Sequence, residues 1–174
     1  MTRRRFRGAV FSALLALAML GAGLPVVASA DGGASDVMSR LPARPESPDY
    51  TAAVKAIKAG QYPTAIPLLE GVVARDGKNA DAYNWLAYAT RRNGDPAAAI
   101  PIYHKALGID SKHRGAHEYI GEAYLALDNL AKAKEHLKRL DSLCFLPCSE
   151  YSDLKKAVEA YEKSGGKVKP TAAR

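Results

Sequence analysis

The amino-acid sequence predicts an all-α protein, an α-solenoid of three stacked helix-turn-helix units closed by a C-terminal capping helix. Three observations carry that expectation. The chain repeats itself every 34 residues without a gap, so that Ala65, Ala99 and Ala133 fall in register, as do Gly60, Gly94 and Asp128, then Leu69, Tyr103 and Leu137, then Val72, Ala106 and Leu140. Within each unit the apolar residues recur three or four apart, the spacing of a helix with one buried face. A last amphipathic segment after the third unit supplies the end that a stack of repeats needs.

The central unit, 80–113, shows the pattern most fully. Tyr83, Leu86, Ala87 and Thr90 share one face of a first helix, and Ala99, Tyr103, Ala106 and Leu107 one face of a second. Between them, Arg92-Asn93-Gly94-Asp95-Pro96 reads as a stop and a restart. Gly94 suits a left-handed C-terminal position, Asp95 an N-cap and Pro96 a first helical turn. Ala65-Ile66-Pro67-Leu68 and Ala99-Ile100-Pro101-Ile102 occupy the same place in successive units. The units are therefore bounded as 46–79, 80–113 and 114–147. The cap is expected over 149–163, with Ser149 as its N-cap and Tyr151, Leu154, Val158 and Tyr161 on its apolar face. Together these make one domain, 49–163. Gly32, Gly33, Pro42, Pro45 and Pro48 mark 31–48 as a flexible leader, and 164–174 reads as a flexible tail.

Residues 1–30 have the three parts of an export signal: the basic run Arg3-Arg4-Arg5-Phe6-Arg7, an apolar stretch from Ala9 to Leu24, and Ala28-Ser29-Ala30, with cleavage expected after Ala30. Thr2 to Phe6 resembles the twin-arginine export motif, with Arg7 where that motif prefers Leu; the general secretory route and an uncleaved anchor are the alternatives. The style is bacterial, and it points to the periplasm or the exterior. The formal charge of +7 invites a nucleic-acid reading. Removing the four signal arginines lowers Lys plus Arg from 25 to 21 against 18 acids, leaving about +3 spread along the chain. Nucleic acid is thus disfavoured as a partner, and no membrane contact is expected after cleavage.

Tyr83-x-x-Leu86-Ala87-x-x-Thr90 followed by Ala99-x-x-x-Tyr103, and His117-x-x-Ile120-Gly121-x-x-Tyr124 followed by Ala133-x-x-x-Leu137, resemble the signature of the tetratricopeptide repeat family. Departures are Tyr83 for the usual Trp, Ser111 for the usual late Pro, and a first unit in which only the second helix matches well. The resemblance implies that the first helix of each unit lines a concave groove that holds an extended peptide or a helix of another protein. By position, that groove presents Tyr50, Val54 and Lys58 from the first unit, Asn84, Tyr88, Arg91 and Arg92 from the second, and Glu118, Glu122 and Leu125 from the third. Tyr offers apolar contact with a polar tip, and an Asn amide can bond a peptide backbone in both directions. Alternatively, Arg91, Arg92, Glu118 and Glu122 pair with each other across neighbouring units. One subset of the family grips a terminal carboxylate with basic and Asn side chains; here Gly115 and Tyr119 stand at the basic positions and Val54 replaces an Asn, so that clamp is not present.

Cys144 and Cys148 are the only cysteines. In an exported chain they read first as a structural disulfide fixing how the last helix turns back, with Phe145 and Leu146 expected to be buried. A redox-active pair and a metal site are the alternatives; His136 is the histidine nearest to them in sequence, while His113 falls in a loop and His117 at a core position of the repeat. No catalytic constellation, phosphate loop or cofactor motif stands out. The sequence therefore points to a non-enzymatic scaffold that binds a protein segment, the alternative being a thiol-redox or metal-handling protein acting through Cys144 and Cys148.

Overall fold

The computed structural model describes residues 47–146 and 148–167. The expected signal, its cleavage site, the leader to Glu46, Pro147 and the tail beyond Lys167 lie outside the described residues. Among those described, seven helices and no strands are present: α1 (Pro48–Lys58), α2 (Tyr62–Arg75), α3 (Ala80–Arg92), α4 (Pro96–Ile109), α5 (Arg114–Ala126), α6 (Leu130–Leu143) and α7 (Ser149–Lys163). None is long and apolar enough to cross a membrane.

The helix starts are set by short polar side chains that accept from backbone N–H groups of the first turn: Ser47 from Tyr50, Asn79 from Ala82, Asp95 from Ala98 and Asn129 from Lys132. The ring Nδ1 of His113 caps α5 in the same way, accepting from Ala116 N–H at 3.1 Å. Each first helix ends where the chain takes a positive φ, at Gly60, Gly94 and Asp128, three residues in one register. Glycine has no Cβ to clash there, and aspartate is among the few other residues that tolerate it. Cys148, not Ser149, is the N-cap of α7; Ser149 is already helical, and its hydroxyl bonds Glu150 instead.

Packing follows the small residues. Ala65, Ala99 and Ala133 are fully buried, letting the two helices of each unit approach closely, and Tyr103, Leu69, Ile120, Leu125, Leu140 and Leu154 fill the space between layers. The core is a chain of three clusters, one about α1 to α3, one about α3 to α5 and one about α5 to α7. In such a stack each layer is stabilised mainly by its neighbours. Phe145 and Leu146 are a correction to the sequence expectation: both are exposed, Phe145 fully, since they lie between the end of α6 and the start of α7 and belong to neither helix's buried face.

Candidate functional site

The ten residues assigned to the groove sit on α1, α3 and α5 at repeat positions five, nine, twelve and thirteen, and these positions behave differently. Position nine is half-buried in every unit, at Val54, Tyr88 and Glu122, and position thirteen is exposed at Lys58 and half-buried at Arg92. Both stay accessible. Position five is half-buried at Tyr50 and nearly closed at Asn84 and Glu118. Position twelve is buried throughout, at Ile57, Arg91 and Leu125.

Position twelve is therefore a seam between layers, and two assignments are corrected. Leu125 is core, packed with Leu140, Leu154 and Val158 beneath α7. Arg91 is closed by its neighbours: its guanidinium donates to Glu122 across the seam at 2.8 Å, with side-chain exposures of 5% and 12%. Burial works against the Arg91 charge, but Tyr103 and Glu122 beside it more than offset that and raise its pKa further. Pairing across units thus holds for Arg91 and Glu122. It does not hold for Arg92, which meets no carboxylate among the described residues and lies over the rings of Tyr62 and Tyr88 at 5.0 and 5.3 Å. One of its Nη atoms donates to the Tyr88 hydroxyl, and its Nε is buried without a partner.

Around Tyr88 the structure assembles a lane of rings that runs from α2 across α3 to α5. Tyr62 lies 6.4 Å away, Trp85 5.5 Å and Tyr119 4.9 Å between centroids, at inclined angles suited to the ring quadrupoles. Burial pushes the Tyr119 phenol above its usual range, helped by the carboxylates of Glu118 and Glu122. Trp85 and Tyr62 were missed as site residues from sequence, and Tyr119 was weighed only as a departure from the terminal clamp. The signal was there, since Trp85 and Tyr119 are 34 residues apart and share position six. Beside the lane, Asn84 is only 4% exposed, and its Oδ1 has no hydrogen-bond partner. An acceptor buried without a donor is costly unless something brings one.

Cys144 and Cys148 are joined, at 2.01 Å between sulfurs. Three of the histidines are used in packing: His117 Nδ1 meets His136 Nδ1 at 2.9 Å, His117 Nε2 donates to the Ser111 carbonyl, and His113 Nε2 reaches Asp81 Oδ1 at 3.0 Å, tying the N-cap of α5 to the first turn of α3. No group of three or more His, Cys, Asp or Glu side chains among the described residues is placed to hold a metal ion.

Residues 58–140 match the family model described as anaphase-promoting complex, cyclosome, subunit 3. No curated protein matches the chain. Among solved structures, the first repeat domain of Spaghetti (RPAP3) bound to the HSP90 peptide SRMEEVD is similar at 24% identity and TM-score 0.59, over 66% of this chain and 93% of that one. PcrH in complex with the chaperone-binding region of PopD shares 16% identity over 77% and 97% of the two chains, TM-score 0.61. The Yersinia enterocolitica type III secretion chaperone SycD with a peptide of the translocator YopD shares 17% over 77% and 95%, TM-score 0.58.

Proposed function

We propose that this chain, which is a tetratricopeptide-repeat protein, is a non-enzymatic interaction module that holds a segment of another protein in its concave groove. The observation that carries the reading is the lane at positions nine and thirteen of α1 and α3, where Val54, Tyr88 and Arg92 stay partly accessible beside the unpaired Asn84 Oδ1. The lane offers apolar ring faces for side chains, and the Asn84 Oδ1, closed over in the unoccupied groove, becomes an acceptor for a backbone N–H of the occupant only where binding displaces the side chains that cover it. Three similar folds, each holding a segment of another protein, support it by analogy.

The compartment belongs to the same proposal. The basic start, the apolar run and Ala28-Ser29-Ala30 support export to the bacterial periplasm or beyond, with the mature chain beginning at Asp31. N-terminal sequencing of the protein recovered from the periplasm tests this directly: Asp31 is expected as the first residue, and recovery of an intact Met1 in the membrane fraction overturns it.

For the groove, affinity capture from intact cells with the wild-type chain is compared with an Asn84→Ala, Tyr88→Ala variant. Arg91 is left alone, because removing it strands Glu122 in the seam. A partner held by the wild type and lost by the variant at unchanged helicity supports the reading; a partner held equally by both places the working surface elsewhere.

A further inference from the structure

Arg91 and Arg92 are neighbours in sequence and opposites in circumstance. Arg91 has its counter-ion in Glu122. Arg92, the last residue of α3, has none among the described residues, yet it is not a free surface side chain. Its guanidinium is held over two tyrosine rings, one of them on the first residue of α2, and its Nε is buried. Tyr88 takes one of its five N–H donors, which leaves the planar fork fixed in orientation with donors to spare. Lys58, the last residue of α1, stands at the same repeat position one unit earlier, and it too makes no ion pair among the described residues. Because successive helices alternate in direction, the ends of α1 and α3 and the starts of α2 and α4 fall on one side of the stack, where Lys58 and Arg92 stand with the Tyr62 and Tyr88 rings and the one cap acid, Asp95, accepts from Ala98 N–H.

Resting on the groove reading above, we propose that Arg92, oriented by Tyr62 and Tyr88, receives an Asp or Glu side chain of the bound segment, so that the groove selects acidic segments of other proteins that also carry apolar residues. The apolar requirement follows from the ring lane, and the acidic one from charge complementarity to Arg92 and Lys58. A carboxylate meets a planar guanidinium through two parallel hydrogen bonds, and tyrosine rings at its sides keep that fork from folding back. This is a side-chain site. A terminal carboxylate clamp uses other positions, filled here by Gly115, Tyr119 and Val54.

The test is a selection of random dodecapeptides displayed on phage against the full-length chain, followed by titration of synthetic winners. Enrichment of one Asp or Glu next to aromatic or aliphatic residues is expected. Arg92→Gln should weaken the winners about 10- to 100-fold. Changing the peptide acid to its amide should cost the wild type the same factor and cost Arg92→Gln almost nothing, since the two changes remove one interaction. Winners that depend on Tyr88 and Asn84 but carry no acid and ignore Arg92→Gln overturn the inference and leave the groove reading standing. Winners indifferent to Tyr88→Ala and Asn84→Ala overturn both. A synthetic peptide of residues 31–46, which contains Asp31, Asp36 and Glu46, is titrated in parallel, and sedimentation is run on both proteins. Tight binding of that peptide makes the occupant the chain's own segment, and self-association lost in Arg92→Gln makes it a second copy; either result overturns the assignment to a partner.

Discussion

The inner faces of α3 and α5 are built on one repeat register and end in opposite states. At position twelve α3 has Arg91 and α5 has Leu125; at position eight α3 has Ala87 and α5 has Gly121. The next layer decides the outcome. Across α3 lies another repeat unit, and the seam is closed by the Arg91–Glu122 ion pair, with Tyr88 and Arg92 left open alongside it. Across α5 lies the cap, and the seam is apolar: Leu125 joins Leu154 and Val158, a Cβ on Gly121 would stand 2.6 Å from Leu154, and the Tyr161 hydroxyl reaches Asp128 at 2.9 Å. A polar seam leaves chemistry within reach of the groove, whereas the cap ends it. Repeat position tells which way a side chain points, and the following helix tells whether it is covered.

The largest effect is expected at the cap. Leu154→Ala empties a fully buried site and should lower stability by about 4 kcal/mol, measured by urea unfolding. Gly121→Ala attacks the same contact from the other side and should cost about 2 kcal/mol. Because both act on one contact, the cost of Gly121→Ala should shrink when Leu154 is already Ala. Additive costs would show that the cap does not rest on Gly121.

At the ionic seam, Arg91→Ala should cost about 3 kcal/mol, since it leaves Glu122 partly buried without its cation. Arg92→Ala, one residue on, should cost under about 1 kcal/mol and act on binding instead. If the two variants unfold alike, the contrast between neighbours is wrong.

Acid should loosen the third unit before the first two. Burial, with the nearby His117 ring, lowers the His136 pKa from its ordinary 6.5 to about 4, and burial lowers that of His117 in the same direction. In that window the unfolded chain binds a proton that the folded one refuses. Stability is therefore complete above about pH 6.5 and falls toward about pH 4, by about 2 kcal/mol once the partial exposure of the ring is allowed for. Thermal unfolding followed between those values should show the fall, and His136→Phe, which preserves a ring against Tyr124, should flatten it. An unchanged slope in the variant would assign the acid sensitivity to other groups.

The smallest expected change to the groove comes from the cysteines. Replacing Cys144 and Cys148 with Ser opens a ring of five residues and should lower stability by about 2 kcal/mol on loop entropy, leaving groove binding intact. Loss of binding in that variant would move the working site to the α6–α7 loop.

The layers were legible from the sequence because they depend on local signals. Gly94, Asp95 and Pro96 mark their turn by backbone preference alone, and the alanines every 34 residues mark the close approaches. The groove was half legible. Tyr88 and Arg92 stay partly accessible at positions that follow from register alone. Arg91 and Leu125 were misplaced because burial at position twelve depends on a helix about 30 residues further along, Glu122 on α5 in one case and Leu154 on α7 in the other. Phe145 and Leu146 were expected inside on hydrophobicity alone, and both are exposed in the stretch between α6 and α7, where no helical period assigns them a buried face.

Trp85 is the only tryptophan in the chain, and it lies in the ring lane 5.5 Å from Tyr88. Its emission therefore reports on the groove alone. The account predicts that titrating a bound peptide shifts or quenches Trp85 fluorescence with the same midpoint as binding measured by calorimetry, and that Tyr88→Ala abolishes both. Binding that saturates by calorimetry while Trp85 emission stays constant would contradict the claim that this lane is the working surface.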